Sequence, residues 1–279
     1  MKEYDKYLKL LKEKYPTKQS VYRELINLNA IMNLPKGTEH FMSDLHGEYD
    51  VFYHIINNCS GVIREKVAML YGDELTVYEQ QELCTLIYYP REKLSILMDE
   101  NKVNDEWYRN VLNQLIQIAK LLSSKYTRSK VRKAMPVDFA YIIDELIHAQ
   151  KDEDDNRSVY HRQIMETILS LHNGDEFLVA LTDLIKRLAV DHLHILGDIY
   201  DRGAHADKIL DLLMEHHSVD IQWGNHDILW MGAFCGNPVC MALVVRNNIK
   251  YKTMSILENG YGISLRFLLQ FAVNTYSDK

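Results

Sequence analysis

Apolar residues recur at helical spacing along residues 1–34: Leu8, Leu11 and Tyr15, then Val21, Leu25, Ile26 and Leu28. Pro35-Lys36-Gly37 breaks that pattern, and Glu39 to Gly47 follows as a short β-like run ending in polar residues. From Glu48 to about Arg187 the period is helical almost throughout. Thr76-Val-Tyr-Glu79 is a capping box that opens one helix. Asn104 caps the next, where Trp107, Val111, Leu115, Ile118 and Leu122 form an apolar stripe. A helix after Pro136 carries Phe139, Ile142, Ile143 and Leu146. The charged stretch 151–156 predicts a linker, and helices are expected over about 156–172 and 175–189. The period then changes. Val190 to Gly197 alternates as a strand, Asp207 to His217 is an amphipathic helix, and Val219 to Trp223 is a second strand. Two strands joined by a helix make a βαβ unit and a parallel sheet. The tail from Ile228 reads as helical.

Composition narrows the class. With 279 residues, 47% hydrophobic and 25% charged, the chain has the ordinary globular balance and ample material for a core. At about 150 residues per domain it holds one to two domains. A formal net charge of −7 disfavours a general nucleic-acid binder, whose affinity comes largely from counterion release. No window approaches the roughly 18 apolar residues of a membrane span, and the charged N-terminus lacks the apolar core of a signal peptide. The four cysteines, Cys59, Cys84, Cys235 and Cys240, show no metal or disulfide spacing. A cytoplasmic protein with reduced thiols is expected.

Three polar segments each end a predicted strand: Asp44-Leu-His46-Gly47, Gly197-Asp198-Ile-Tyr-Asp201-Arg202-Gly203, and Gly224-Asn225-His226-Asp227. Open α/β sheets place their active sites past the carboxyl ends of strands. Carboxylates, imidazoles and an amide oxygen together suit borderline divalent ions such as Mn, Fe or Zn. Asp44 and His46 are two apart, so on a strand they would share one side. Each segment alone is a weak signal; all three in this order, each behind a strand, are a strong one.

At these residues the chain resembles the calcineurin-like metallophosphoesterases, whose pattern is DxH, GDxxDRG and GNH[DE], followed by two later histidines. The resemblance implies an α/β fold, a two-sheet sandwich core. It also implies two divalent metals, Mn2+ foremost, and a metal-activated water attacking phosphorus. By resemblance, Asp44 and His46 hold the first metal, Asp198 bridges both and Asn225 holds the second. His226 protonates the leaving oxygen or contacts the phosphate, Asp201 orients His226, and Arg202 binds phosphate oxygens. A long helical stretch separates the first two motifs. With the wordings SDLHGEYD, GDIYDRG and GNHD, this is similar to the class III fructose-1,6-bisphosphatases of bacteria such as the Firmicutes. The resemblance runs from about Tyr15 onward and implies hydrolysis of fructose 1,6-bisphosphate in gluconeogenesis. Residues 1–47 plus 188–279 would form the metallophosphatase core, and 48–187 a helical insertion that caps the site or makes a subunit interface in a homo-oligomer. The same chemistry in a phosphoprotein phosphatase or a dinucleotide polyphosphate hydrolase is the alternative, as is an inactive module that binds phosphate or a partner. No histidine follows His226, so the two later ligands are missing. The expectation is a portion of a longer protein whose C-terminal part supplies them.

Other residues have plainer readings. His192 and His194 flank Leu193 on a strand and are read as structural, with metal contact as the alternative. His216-His217 ends a helix, where a partly charged imidazole suits the dipole. His205, two residues past the Arg202-Gly203 turn, is a candidate phosphate contact. Cys235 and Cys240 are read as packing residues on one helix. The basic run Lys125, Arg128, Lys130, Arg132 and Lys133 is read as a solvated face, with an anionic effector as the alternative.

Overall fold

Buried leucine, isoleucine and phenylalanine side chains at helical spacing account for most of the architecture. A computed structural model describes residues 2–149 and 155–276. It is mostly helical with one small parallel sheet among the described residues. Of the predicted linker 151–156, residues 151–154 lie outside the described residues; 155 and 156 begin the helix Asp155–Ser170.

The largest core is built from residues 59–190, all of them on helices or their connections. Thr76 accepts from the Glu79 N–H, and the Glu79 carboxylate accepts from the Thr76 N–H, so the predicted capping box forms. Asn104 accepts from Trp107 N–H at 2.8 Å and opens the helix Asp105–Ser123. That helix packs along Gly174–Ala189, and Leu112, Leu115, Ile118, Phe177, Leu178 and Leu181 are wholly buried between these and neighbouring helices. Leu115→Ala is expected to cost about 2–5 kcal/mol, the transfer term plus an uncollapsed cavity. A urea denaturation midpoint measures it.

Three strands form the sheet: β1 (Glu39–Met42), β2 (His192–Ile195) and β3 (Val219–Ile221). Their order is β1-β2-β3 and both pairings are parallel. β2 lies at the centre, with His194 opposite Phe41 on one side and Asp220 on the other. The helix Ala206–Glu215 crosses from β2 to β3. It buries Ile209 and Leu213 against Leu193, Ile195 and the Phe52 of helix Tyr49–Asn58. A third cluster, Trp230, Val244, Leu257 and Leu265, ties together the chain after β3. Among the described residues of 48–187 there is no strand, and no described helix is long and apolar enough to cross a membrane.

Most of the basic run is exposed, as expected, and several of its charges are paired. Lys130 pairs with Asp191, Arg128 and Arg132 both reach Asp144, and half-buried Lys125 donates to Thr38 Oγ1 at 2.9 Å. Each of these partners lies outside the run, where a charge tally along the chain does not see it. Cys235 and Cys240 do not share a helix. Cys235 ends the helix Asn225–Phe234, and Asn237 with Pro238 starts a new one, Pro238–Tyr251, that carries Cys240. Proline at the first helical position lacks the N–H that would continue the preceding ladder.

Candidate functional site

The chain leaves β1 and β2 through two loops that hydrogen-bond to one another. Asp44 N–H donates to Gly197 O, His46 N–H to Asp198 O, Gly47 N–H to Ile199 O and Gly203 N–H to His46 O. The pairing continues the parallel ladder, but in strained backbone. Asp44, His46, Asp198, Asp201 and Arg202 all have φ between 45° and 75°. They are half of the non-glycine positive-φ residues among those described. Such residues cost about 1–3 kcal/mol each and cluster where surrounding structure over-determines them for a function. Asp44 and His46 therefore do not share a side because of strand pleat, as their spacing suggested. β1 ends at Met42, and each turns inward through its own left-handed residue.

These turns bring ligand atoms together. One from each of Asp44, His46 and Asp198 lies within 4.8 Å of the other two. His46 is 5% exposed. Its Nδ1–H donates to the Tyr200 carbonyl at 3.1 Å, which leaves Nε2 with a bare lone pair. That Nε2 is buried, has no hydrogen-bond partner, and lies 3.4 Å from Asp44 Oδ1. Two lone pairs face each other, and a divalent cation held by both would relieve the repulsion. The donor set fits a metal. Ser43 Oγ–H donates to Asp44 Oδ2 at 2.7 Å and holds the Asp44 carboxyl below its ordinary range. The nearby Arg202 guanidinium acts in the same direction. Asp44 is thus ionised and ready to ligate.

The third segment is fastened to Asp198. His226 N–H donates to Asp198 Oδ1 at 3.1 Å, which sets exposed Asn225 next to that carboxylate along the chain. A Cβ at Gly224 would fall within the Asp198 carboxylate, so only glycine allows this approach. His226 Nδ1–H donates to Asp201 Oδ2 at 2.7 Å, leaving Nε2 free, and its ring meets the His46 ring edge-on at 5.3 Å between centroids.

Three residues that sequence reasoning gave no role complete the site. Asp227 is buried, and its carboxylate accepts from the N–H groups of Asp198, Ile199, Tyr200 and Gly224 at 2.7–3.2 Å. It shapes the second loop. Trp230 Nε1–H donates to Asp201 Oδ1 at 2.9 Å, and Asn247 Nδ2–H to Asp201 Oδ2 at 2.8 Å. With His226 they fill both oxygens of a carboxylate that is 5% exposed. An acidic residue at the third position of the helix Asn225–Phe234 was a readable signal for Asp227. Nothing local marked Trp230 or Asn247.

Arg202 is exposed on its left-handed turn, close enough to Asp44 to act on it electrostatically. His205 lies outside the ligand cluster. Its N–H donates to Gly47 O at 3.1 Å, and it borders an open cleft with Asp201, Gly203, Trp230 and Tyr261.

The pair His216-His217 contradicts the partly charged reading. Burial pushes His216 down to about 4 and lowers His217 too. Desolvation outweighs the helix dipole, so both are neutral at pH 7. Between about pH 6.5 and 4 the unfolded chain therefore binds more protons at His216 than the folded one. Its stabilising contribution is full above about pH 6.5, falls as pH drops towards about 4, and changes no further below that. Thermal melts from pH 7 to 4 are expected to fall less steeply in a His216→Gln variant.

Fold and site together define a mixed α/β protein in which carboxylate and imidazole donors that could hold a metal ion gather at the ends of parallel strands. The family profile described as Firmicute fructose-1,6-bisphosphatase matches residues 6–279, and the chain belongs to that family. A relative from Clostridium beijerinckii named fructose-1,6-bisphosphatase class 3 is 53% identical over 288 residues, covering 100% of this chain and 43% of its own. Relatives of the same name from Listeria monocytogenes serotype 4b and Bacteroides fragilis are 54% and 51% identical, each over 98% of this chain. The chain spans 41–43% of the length of these curated relatives. No solved structure gives a significant match.

Proposed function

We propose that this chain carries the metal-binding half of a class 3 fructose-1,6-bisphosphatase, which hydrolyses fructose 1,6-bisphosphate to fructose 6-phosphate and phosphate in the cytoplasm. The observation that carries the reading is the convergence of Asp44, His46 and Asp198, with an orphaned His46 Nε2, beside the His226–Asp201 pair. The relatives' shared name supplies the substrate.

In this reading Asp44, His46 and Asp198 would hold the first of two Mn2+ ions. Asp198 and Asn225 would hold the second, with further ligands from the rest of the longer enzyme. Bound divalent ions supply Lewis-acid stabilisation of phosphoryl charge and an activated water. Arg202 presents a planar fork to the phosphoryl oxygens and can bind two at once. Asp201 keeps the His226 proton on Nδ1 in the resting form. When protonated as well, Nε2–H points away from Asp201 and delivers a proton to the departing sugar oxygen. Trp230 and Asn247 hold Asp201 in place, and His205 contacts a substrate phosphate from the edge of the cleft. The proposal includes residues 1–47 and 188–279 as the N-terminal part of a two-sheet sandwich core, contributing the three-stranded sheet, with 48–187 as the helical insertion.

The test is phosphate release by the full-length gene product with Mn2+, against sugar phosphates, a phosphopeptide and a dinucleotide polyphosphate. Fructose 1,6-bisphosphate should be the preferred substrate. Faster hydrolysis of the peptide or dinucleotide would replace this reading with its alternative.

A further inference from the structure

A second cluster of metal-binding side chains sits on the sheet itself. His192 and His194 alternate along β2, so both imidazoles stand on one face. Asp220 of β3 is the register partner of His194. Its carboxylate lies 3.2 Å from His192 Nε2 and 2.9 Å from His194 Nδ1. One ligand atom from each of the three lies within 4.8 Å of the others. Zinc bonds nitrogen and oxygen at about 2.0–2.2 Å, so donors sharing one ion sit roughly 3–3.5 Å apart. The two measured separations are already at or near that spacing. These three residues lie within β2 and β3, whereas Asp44, His46 and Asp198 lie in the loops beyond β1 and β2, and the two groups share no residue.

Hydrogen-bond accounting gives independent support. Asp220 only accepts, so without a cation His194 must donate to it from Nδ1. Its Nε2 is then a lone pair, buried and without a hydrogen-bond partner, 3.8 Å from the Glu39 carboxylate. With a cation on Nδ1 the proton moves to Nε2 and points at Glu39. That is the carboxylate–histidine–metal arrangement that orients ligating imidazoles. His192, ligating through Nε2, carries its proton on Nδ1 and can donate to Ser218 Oγ at 2.6 Å. Each imidazole thus has an outer partner on the nitrogen that does not ligate. Phe41 stacks on the His194 ring at 4.3 Å between centroids, which fixes its plane.

We propose that His192, His194 and Asp220 form a second site for a borderline divalent cation of the Zn2+ class, clipping β2 to β3, with Glu39 and Ser218 as outer partners. Two imidazoles and one carboxylate favour Zn2+ over the harder Mg2+ or Ca2+, and a fourth position is left for water. Asp220 is 56% exposed at its side chain, so the cation can enter from solvent.

The test is equilibrium dialysis of the metal-free 279-residue chain against Zn2+ near pH 8. The unmodified chain should bind one equivalent more than His194→Ala. An Asp198→Ala chain, with the other site broken, should keep that equivalent and melt higher when Zn2+ is added. Glu39→Gln should weaken this zinc by about 10–100-fold without abolishing it. To guard against a His194→Ala chain that misfolds, nitrogen NMR of the unmodified chain should show zinc shifting His192 Nε2 and His194 Nδ1. Equal zinc stoichiometry in a folded His194→Ala chain, or no shift at those two nitrogens, would overturn the proposal.

Discussion

His226→Ala in the full-length enzyme is expected to lower turnover of fructose 1,6-bisphosphate by about 10²–10⁴-fold, the usual contribution of a positioned general acid. Bound metal should barely change. The His226 side chain is not in the Asp44–His46–Asp198 cluster; only its backbone N–H touches Asp198. The alkoxide leaving from a sugar is strongly basic and needs a proton, whereas the aryloxide leaving from an aryl phosphate is a weaker base and needs it far less. The defect should therefore shrink with an aryl phosphate as substrate. The measurements are kcat on both substrates and metal content by elemental analysis. Equal losses on both would mean that His226 binds phosphate rather than donating a proton.

Asp198→Ala should strongly weaken the first proposed metal site. Asp198 supplies one of three clustered ligand atoms and accepts the His226 N–H that docks the third motif. Changing an outer partner of a metal site typically costs about 10–100-fold in affinity, and losing a direct ligand should exceed that. Mn2+ titration of the variant should show at least about a 100-fold weaker site. Turnover should be lost with it, while far-ultraviolet circular dichroism stays unchanged. The helical core of residues 59–190 shares no residue with the site, so the fold should survive. Retention of tight Mn2+ by a folded Asp198→Ala chain would show that the ligand set is different.

Much of this was readable from local pattern. The capping residues Thr76 and Asn104, the stripe through Leu115, and the parallel β2–helix–β3 unit depend on neighbours three or four residues away, and they formed as the spacing required. Where the chemistry depended on distant partners, local reading failed. Spacing suggested that Asp44 and His46 share a strand face, yet both lie beyond β1 in left-handed turns held by the loop after β2. His216 read as a helix-terminal cation until burial, which is a property of the packed molecule, made it neutral. The basic run is exposed as read, but its pairing with Asp144 and Asp191 lay beyond any local pattern.

By itself the sequence determined the helical period of residues 48–187, the strand ends where polar segments cluster, and the residue types that can hold a divalent ion. These follow from side-chain chemistry and from periodicities of 3.6 and 2, which need no knowledge of the rest of the chain. Only the tertiary structure decided which donors meet. It set the proton of His46 by placing the Tyr200 carbonyl against Nδ1, and it locked Asp201 between Trp230, Asn247 and His226. It also brought Asp220 of β3 under two histidines of β2. A hydrogen bond or a metal bond is made over about 2–3 Å between atoms from separate segments, and no pattern along one segment specifies that distance.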